Sequence, residues 1–93
     1  MAVLTEAQIE TMLKENPEWH LESGKLVRDW SFPDFVHAVA FVNRVAELSE
    51  TANHHPDIDI RYNKVRLSLI SHDAGGITER DARMAATISR ELR

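Results

Sequence analysis

The chain has 93 residues, of which 43% are hydrophobic and 28% charged, with a formal net charge of −4; these values predict one globular domain over residues 1–93. The basic residues are scattered, which argues against a nucleic-acid partner, and the absence of cysteine excludes disulfides, thiolate catalysis and cysteine-ligated metals. With no signal-peptide pattern and no apolar run near the ~20 residues that cross a bilayer, we expect a cytoplasmic protein without a membrane partner.

The first third of the chain predicts a helix followed by a hairpin. The segment Thr5–Gln8 has the spacing of a capping box, so we expect a short helix that ends at Asn16-Pro17. Residues 19–21 and 26–32 then have the character of two strands. Gly24 lies between them and accepts a positive φ, which favours a tight turn and hence a hairpin.

Pro33 and Asp34 open the longest predicted helix, because proline is tolerated in a first turn and a carboxylate there suits the helix dipole. The helix runs from Phe35 to about Asn53 and carries two apolar stripes, made of Phe35, Val39, Val42 and Ala46 and of Ala38, Phe41, Val45 and Leu48. This surface exceeds what one face of a small sheet covers, so we expect a homodimer or homotetramer. The alternative is a helix that is deeply buried in its own fold.

A second hairpin and a last helix complete the predicted order. Residues 57–62 alternate as a half-buried strand, Asn63-Lys64 is predicted as a two-residue turn, and residues 65–69 alternate in the returning strand. The segment Thr78–Asp81 is a second capping-box pattern and opens the last helix. The order α-β-β-α-β-β-α predicts an α+β fold, a four-stranded antiparallel sheet with three helices packed on one face.

Three of the five histidines lie where predicted elements end. Because Pro56 disfavours the α conformation at His55, a helix through Glu50 must end at about His54, which places two imidazoles at a helix-to-strand corner. The second hairpin returns the chain to the same end of the strand pair, where His72 follows. Imidazole has an unperturbed pKa of ~6.5 and both donates and accepts protons near neutrality, so this corner is the predicted site of chemistry.

A zinc site is the alternative chemistry for three histidines. Adjacent residues in an extended segment point to opposite sides, which makes His54 and His55 poor joint ligands, and the His-x₃-His spacing of helical sites is absent. Metal binding is therefore the weaker hypothesis.

The neighbouring carboxylates and Trp19 have ordinary structural explanations as well. Asp81 is the third residue after the predicted cap Thr78, and that position alone accounts for a carboxylate. Glu50 is either a helix-surface carboxylate or the residue that orients His54 one turn on. Trp19 fits the core or the wall of a pocket.

The same stretch resembles the signature of the pterin-4a-carbinolamine dehydratase family. The matching pattern is Glu-x₃-His-His-Pro-x₅-Tyr-x₉-His-x₈-Asp, formed here by Glu50, His54, His55, Pro56, Tyr62, His72 and Asp81. The similarity extends to Trp19 and to the segments Phe32–Phe35, Tyr62–Val65 and Thr78–Asp81. It therefore covers nearly the whole chain.

The resemblance implies removal of water from a 4a-hydroxytetrahydropterin to give the quinonoid dihydropterin, in tetrahydrobiopterin recycling. By the resemblance, His54 and His72 are the acid–base pair, and His55 binds substrate and assists proton transfer. Histidines suit both proton transfers without a metal ion or another cofactor. The substrate-binding positions so implied are His54, His55, Pro56, Ser71, His72, Asp73 and Ala74, and the supporting residues are Glu50, Asp81 and Trp19.

Some members of the same family are also dimerisation cofactors for a homeodomain transcription factor. The long predicted helix would serve either role, because both need its apolar surface. A protein-binding module is therefore the alternative function that the resemblance implies.

Overall fold

Two hairpins and three helices alternate along residues 2–92, the part of the chain that the computed structural model describes. The helices are α1 (Glu6–Glu15), α2 (Phe35–Ala52) and α3 (Glu79–Glu91), and the strands are β1 (His20–Glu22), β2 (Lys25–Ser31), β3 (Asp57–Arg61) and β4 (Lys64–Leu69). The sheet order is β1-β2-β4-β3, and each neighbouring pair is antiparallel. The predicted α+β order α-β-β-α-β-β-α is confirmed.

Alternation along the strands gives the sheet one buried and one exposed face. Leu26 pairs with Leu69, and both are fully buried, whereas Asp29 pairs with Arg66 on the exposed face. Each fully buried leucine stabilises the fold by about 1.5–3 kcal/mol. The helices contribute to the same core cluster as the sheet, through Met12, Ala38, Phe41, Val45, Met84, Ala85 and Ile88. The three helices therefore pack on one face.

The predicted helix boundaries follow from local hydrogen bonds. The Thr5 hydroxyl accepts from the Gln8 amide while the Gln8 side chain accepts from the Thr5 amide, as a capping box requires. Asp34 caps α2 by accepting from the His37 amide at 2.9 Å. At the other end Asn53 takes the left-handed conformation, with φ 51° and ψ 40°, which ends α2 directly before the histidine pair.

The second hairpin turns one residue earlier than the sequence predicts. Lys64 already pairs with Arg61, so the two-residue turn is Tyr62-Asn63, and the prediction of Asn63-Lys64 is wrong. Asn63 is bound twice to Phe32: its carbonyl accepts from the Phe32 amide, and its Nδ2 donates to the Phe32 carbonyl, each at 2.8 Å. Because these bonds extend the β2–β4 ladder past Lys64, the positive φ of 53° falls on Tyr62 instead of on asparagine.

Helix α2 leaves part of its apolar surface exposed. Ala38 and Val45 are fully buried. In the first turn of the helix, however, Phe35 is 51% exposed and Val36 is 74% exposed. This exposure argues against the alternative of a helix deeply buried in its own fold, and self-association stays a prediction. No helix within residues 2–92 is both long and apolar enough to cross a membrane.

The turn gives two substitutions with different expected effects on stability. Asn63→Ala should destabilise the fold by about 1 kcal/mol, because it removes the part-buried bond to the Phe32 carbonyl. Tyr62→Gly should instead leave stability unchanged or raise it by up to about 1 kcal/mol, since glycine adopts a positive φ without steric cost. Urea unfolding followed by circular dichroism measures both.

The exposed Lys64 next to this turn supplies the control. Lys64→Ala should change the unfolding free energy by less than about 0.5 kcal/mol, as is usual for a surface position. An Asn63→Ala variant as stable as Lys64→Ala would contradict the role given to the Phe32 bonds.

Candidate active site

The corner between α2 and β3 places His54 beside the sheet. After Asn53 reverses the direction of the chain, the His54 amide donates to the Ser49 carbonyl at 3.1 Å. The His54 side chain is only 11% exposed, and Pro56 is buried just before β3 begins. The end of the helix therefore holds one imidazole inside the fold and directs it toward the start of α3.

Asp81 lies opposite His54 and is fully buried. Its Oδ1 is 2.6 Å from His54 Nε2, and its Oδ2 accepts from the Thr78 amide at 2.8 Å and from Ser71 Oγ at 2.9 Å. The carboxylate also lies in the first turn of α3, where the helix dipole favours negative charge. One side chain thus joins the end of α2, the segment after β4 and the start of α3.

Two buried hydroxyls complete the contacts around this carboxylate. Ser71 Oγ and Thr78 Oγ1 are 2.8 Å apart. Because the single Ser71 proton is donated to Asp81, Thr78 donates to Ser71. Thr78 Oγ1 in turn accepts from the Arg80 amide at 3.3 Å. Each hydroxyl has its partners inside the protein, so the surroundings of Asp81 are fixed.

These contacts determine which ring nitrogen of His54 is free to react. With Oδ2 of Asp81 accepting two hydrogen bonds, we assign the His54 Nε2–H as the donor to Oδ1. Nδ1 of His54 is then the nitrogen that does not contact Asp81. A buried carboxylate that orients an imidazole in this way is the arrangement found where histidine transfers protons in catalysis.

His55 has a different environment from its neighbour. Its Nε2 is hydrogen-bonded to Glu50 Oε2, and both side chains are more than half exposed. The structure therefore pairs Glu50 with His55, and not with the His54 to which the helical spacing pointed. The two adjacent imidazoles have separate carboxylate partners, one buried and one at the surface.

His72 lies on the tight loop that follows β4. The loop is closed by a bridge between Ser71 and Gly76, and the Ser71 carbonyl accepts from the amides of Ala74 and Gly75 at 3.1 and 3.0 Å. Gly75 supplies the positive φ of 75° that this turn needs. His72 is exposed and comes one residue after Ser71, which is bonded to Asp81.

Asp73, at the tip of this loop, is paired with the first turn of α3. Arg80 Nη2 donates to Asp73 Oδ1 at 2.5 Å, and this bond holds the pKa of the Asp73 carboxyl below its usual value. The carboxyl therefore stays charged at neutral pH and keeps the ion pair.

Apart from Trp19, the predicted site residues fall into three groups. His54, Ser71 and Asp81 are joined by direct hydrogen bonds, and Pro56 is buried at the same corner. His55 and Glu50 form the exposed pair. The loop carries the remaining positions, which are His72, Asp73 and Ala74.

Trp19 lies in the core. Its Nε1 donates to Ser89 Oγ at 3.1 Å, and its ring packs edge-on against Trp30 at 6.0 Å. Its supporting role at the site stays a prediction. Among the described residues, no group of three histidine, aspartate or glutamate side chains is placed to hold a metal ion.

The contacts of two residues near this site were not predicted from the sequence. The sequence predicts Thr78 only as a helix cap and predicts no contact for Arg80. The available signal was the Thr78–Asp81 capping box, because a carboxylate that caps with one oxygen keeps the other for a second partner. The sequence contains no local signal for the Arg80–Asp73 pair, which depends on the conformation of the loop.

Solved structures share this fold. A crystal structure described as a transcriptional coactivator/pterin dehydratase from Brucella melitensis aligns with a TM-score of 0.87 and 31% identity over 95% of this chain and 96% of its own. A pterin dehydratase-like protein described as a RuBisCO assembly factor in the alpha-carboxysome aligns with a TM-score of 0.61 over 77% and 83% of the two chains. At 23% identity, the second likeness shows the fold alone.

Sequence relatives are closer. A protein of Acidobacterium capsulatum, provisionally named a pterin-4-alpha-carbinolamine dehydratase, is 58% identical over 88 residues, which cover 95% of this chain and 96% of the relative. One from Chloroflexus aurantiacus with the same provisional name is 53% identical over 88 residues, with 95% of each chain covered. The family model described as Pterin 4 alpha carbinolamine dehydratase matches residues 2–91. The chain therefore belongs to the pterin 4 alpha carbinolamine dehydratase family.

Proposed function

We propose that this protein is a dehydratase that eliminates water from a 4a-hydroxytetrahydropterin and releases the quinonoid dihydropterin. The observation that carries the proposal is the 2.6 Å contact between His54 and the buried Asp81, which holds one imidazole in a single tautomer with its other nitrogen free. Membership of the dehydratase family supports the substrate class.

The elimination needs two proton transfers and no change of oxidation state. The hydroxyl on C4a leaves as water after it accepts a proton, N5 of the pterin loses its proton, and the electron pair of that N–H bond forms the C4a=N5 double bond. One proton is delivered and one is removed, so an acid and a base suffice. We assign these roles to His54 and His72, and the step requires neither a metal ion nor a redox cofactor.

The two imidazoles differ in how they are held, and this favours different tasks. His54 is hydrogen-bonded to a buried carboxylate, which fixes the orientation of its ring. His72 is exposed on the loop, so its imidazole is open to solvent. His55 lies on the other side of the corner and contributes to substrate binding with help in proton transfer. Backbone and side chains of Pro56 and of residues 71–74 complete the proposed pterin site.

In the cell, such a reaction belongs to the recycling of tetrahydrobiopterin or a related tetrahydropterin. A hydroxylase that uses a tetrahydropterin forms the carbinolamine, and dehydration returns the pterin to a form that can be reduced again. The expected cytoplasmic location fits this place in the sequence of reactions and stays a prediction.

The second candidate function is a dimerisation cofactor or protein-binding module that acts through α2. The observation that favours it is the exposure of Phe35 and Val36 at the start of that helix. The same surface supports self-association as a homodimer or homotetramer, which a dehydratase and a binding module would share. Turnover by the purified protein separates the two functions.

The direct test is the decay of a 4a-hydroxytetrahydropterin followed by ultraviolet absorbance, with and without the purified protein. We expect the protein to accelerate the decay and to retain its full rate after treatment with a chelator, because the proposed acid and base are imidazoles. A decay rate that the protein leaves unchanged would exclude the dehydratase function. Activity that is lost on chelation and restored by zinc would exclude the metal-independent mechanism.

Substitutions of the three histidines should have different effects on kcat and KM. We expect His54→Ala and His72→Ala each to lower kcat by about 10²–10⁴-fold, because each removes an acid–base group. His55→Ala should raise KM as well, since this residue is assigned mainly to binding. If His54 and His72 serve one step, the double variant should lose less than the product of the single losses.

Steady-state kinetics on these variants decide the assignment, with circular dichroism as the check that each is folded. Wild-type kcat in both His54→Ala and His72→Ala would show that the proposed acid–base roles are wrong.

Self-association should depend on the exposed start of α2. Val36→Glu should weaken assembly by about tenfold or more, because an unpaired charge would be buried in the interface, while the melting temperature of the subunit changes little. Ala7→Glu, an exposed substitution on α1, is the matched control and should leave assembly unchanged. Sedimentation equilibrium at micromolar concentration measures both, and a wild-type protein that is a stable monomer there would refute the interface.

A further inference from the structure

The loop that carries His72 is attached to the rest of the fold at both of its ends and at its tip. At its start, Ser71 is bonded to Asp81, and just after its end the Ile77 carbonyl accepts from the Leu4 amide at 2.8 Å. At the tip, the bond from Arg80 Nη2 to the Asp73 carboxylate joins the loop to α3. The exposed His72 lies between the first attachment and the tip.

The attachment at the tip contributes little to the stability of the whole protein. Asp73 is exposed, and ion pairs of exposed carboxylates are largely screened by water. The pair can still affect the local order of the loop. The free energy needed to open a surface loop is much lower than the free energy needed to unfold the whole protein. Removing this pair should therefore change the order of the loop far more than it changes the unfolding free energy.

The Arg80 side chain is partly buried, and this restricts its conformation. Its side chain is 31% exposed, and its Nε is buried without a protein acceptor among residues 2–92. A guanidinium that served only as a solvated surface charge would expose its nitrogens to water. The stem is instead partly buried, which limits the positions open to Nη2 and to the bound Asp73.

We propose that Arg80 is a positioning residue for His72, which it holds through its ion pair with Asp73. The neighbouring residue on the same turn, Asp81, orients His54. One rigid turn of α3 therefore sets the placement of both proposed acid–base groups relative to each other. This inference rests on the proposed function, because it gives the two imidazoles a common substrate.

The first test is the effect of Arg80→Gln on turnover. We expect kcat to fall by about 10- to 100-fold, since small displacements of a catalytic group have effects of that size, with a smaller change in KM. Arg80→Lys should recover part of this loss, because an ammonium group still pairs with Asp73. Arg83→Gln removes an exposed arginine from an ion pair with Glu79 on the same helix and should retain wild-type kinetics.

The second test asks whether Arg80 acts through His72. In the His72→Ala background, Arg80→Gln should lower kcat little further, because the group that it positions is already gone. A loss as large as in the wild-type background would mean that Arg80 acts on the substrate or on the fold, and the proposal would be overturned.

A measurement without substrate keeps the proposal separate from the proposed function. We expect the backbone amides of residues 72–75 to show lower NMR order parameters in Arg80→Gln than in the wild type and in Arg83→Gln, while the melting temperature stays close to that of the wild type. An inactive wild-type protein would reject the dehydratase, and the order parameters would then decide alone whether Arg80 holds the loop. Unchanged order in residues 72–75 overturns the proposal in either case.

Discussion

The buried carboxylate of Asp81 is the contact on which the candidate site depends. An ionised carboxylate inside a protein is strongly unfavourable unless it is hydrogen-bonded, and Asp81 is bonded to Thr78, Ser71 and His54 together. Its removal would leave a helix amide, a buried hydroxyl and an imidazole without their acceptor. Hydrogen bonds to a charged group contribute about 1.5–3 kcal/mol each. Because Asp81 accepts from both the Thr78 amide and His54, it caps α3 and also orients the imidazole.

Local patterns in the sequence were sufficient for the elements but not for the contacts between them. Alternating strands, capping boxes and the proline after the histidine pair depend on neighbouring residues, and they predicted the fold class and the helix-to-strand corner. The contact between His54 and Asp81 joins residues 27 apart, and nothing in the local spacing of either residue specifies it. The turn at Tyr62-Asn63 was misplaced for the same reason, since the bonds that fix Asn63 come from Phe32 in another hairpin.

The two ends of α2 serve different purposes. Its last turn delivers His54 to the corner, whereas its first turn exposes Phe35 and Val36. At 1.5 Å per residue, these ends lie roughly 25 Å apart along the helix axis. A partner bound at the first turn would therefore leave the corner open, so the proposed self-association and the proposed chemistry would use different parts of the same helix.

During synthesis, His54 is added to the chain before its hydrogen-bond partner Asp81. A ribosome completes both hairpins and the histidine corner before it adds α3, so a nascent chain has most of the sheet but no buried carboxylate for His54. The imidazole acquires its fixed tautomer only when the last helix docks. A chain that stopped before α3 would keep the three histidines in its sequence and lack the hydrogen bond that fixes the tautomer of His54.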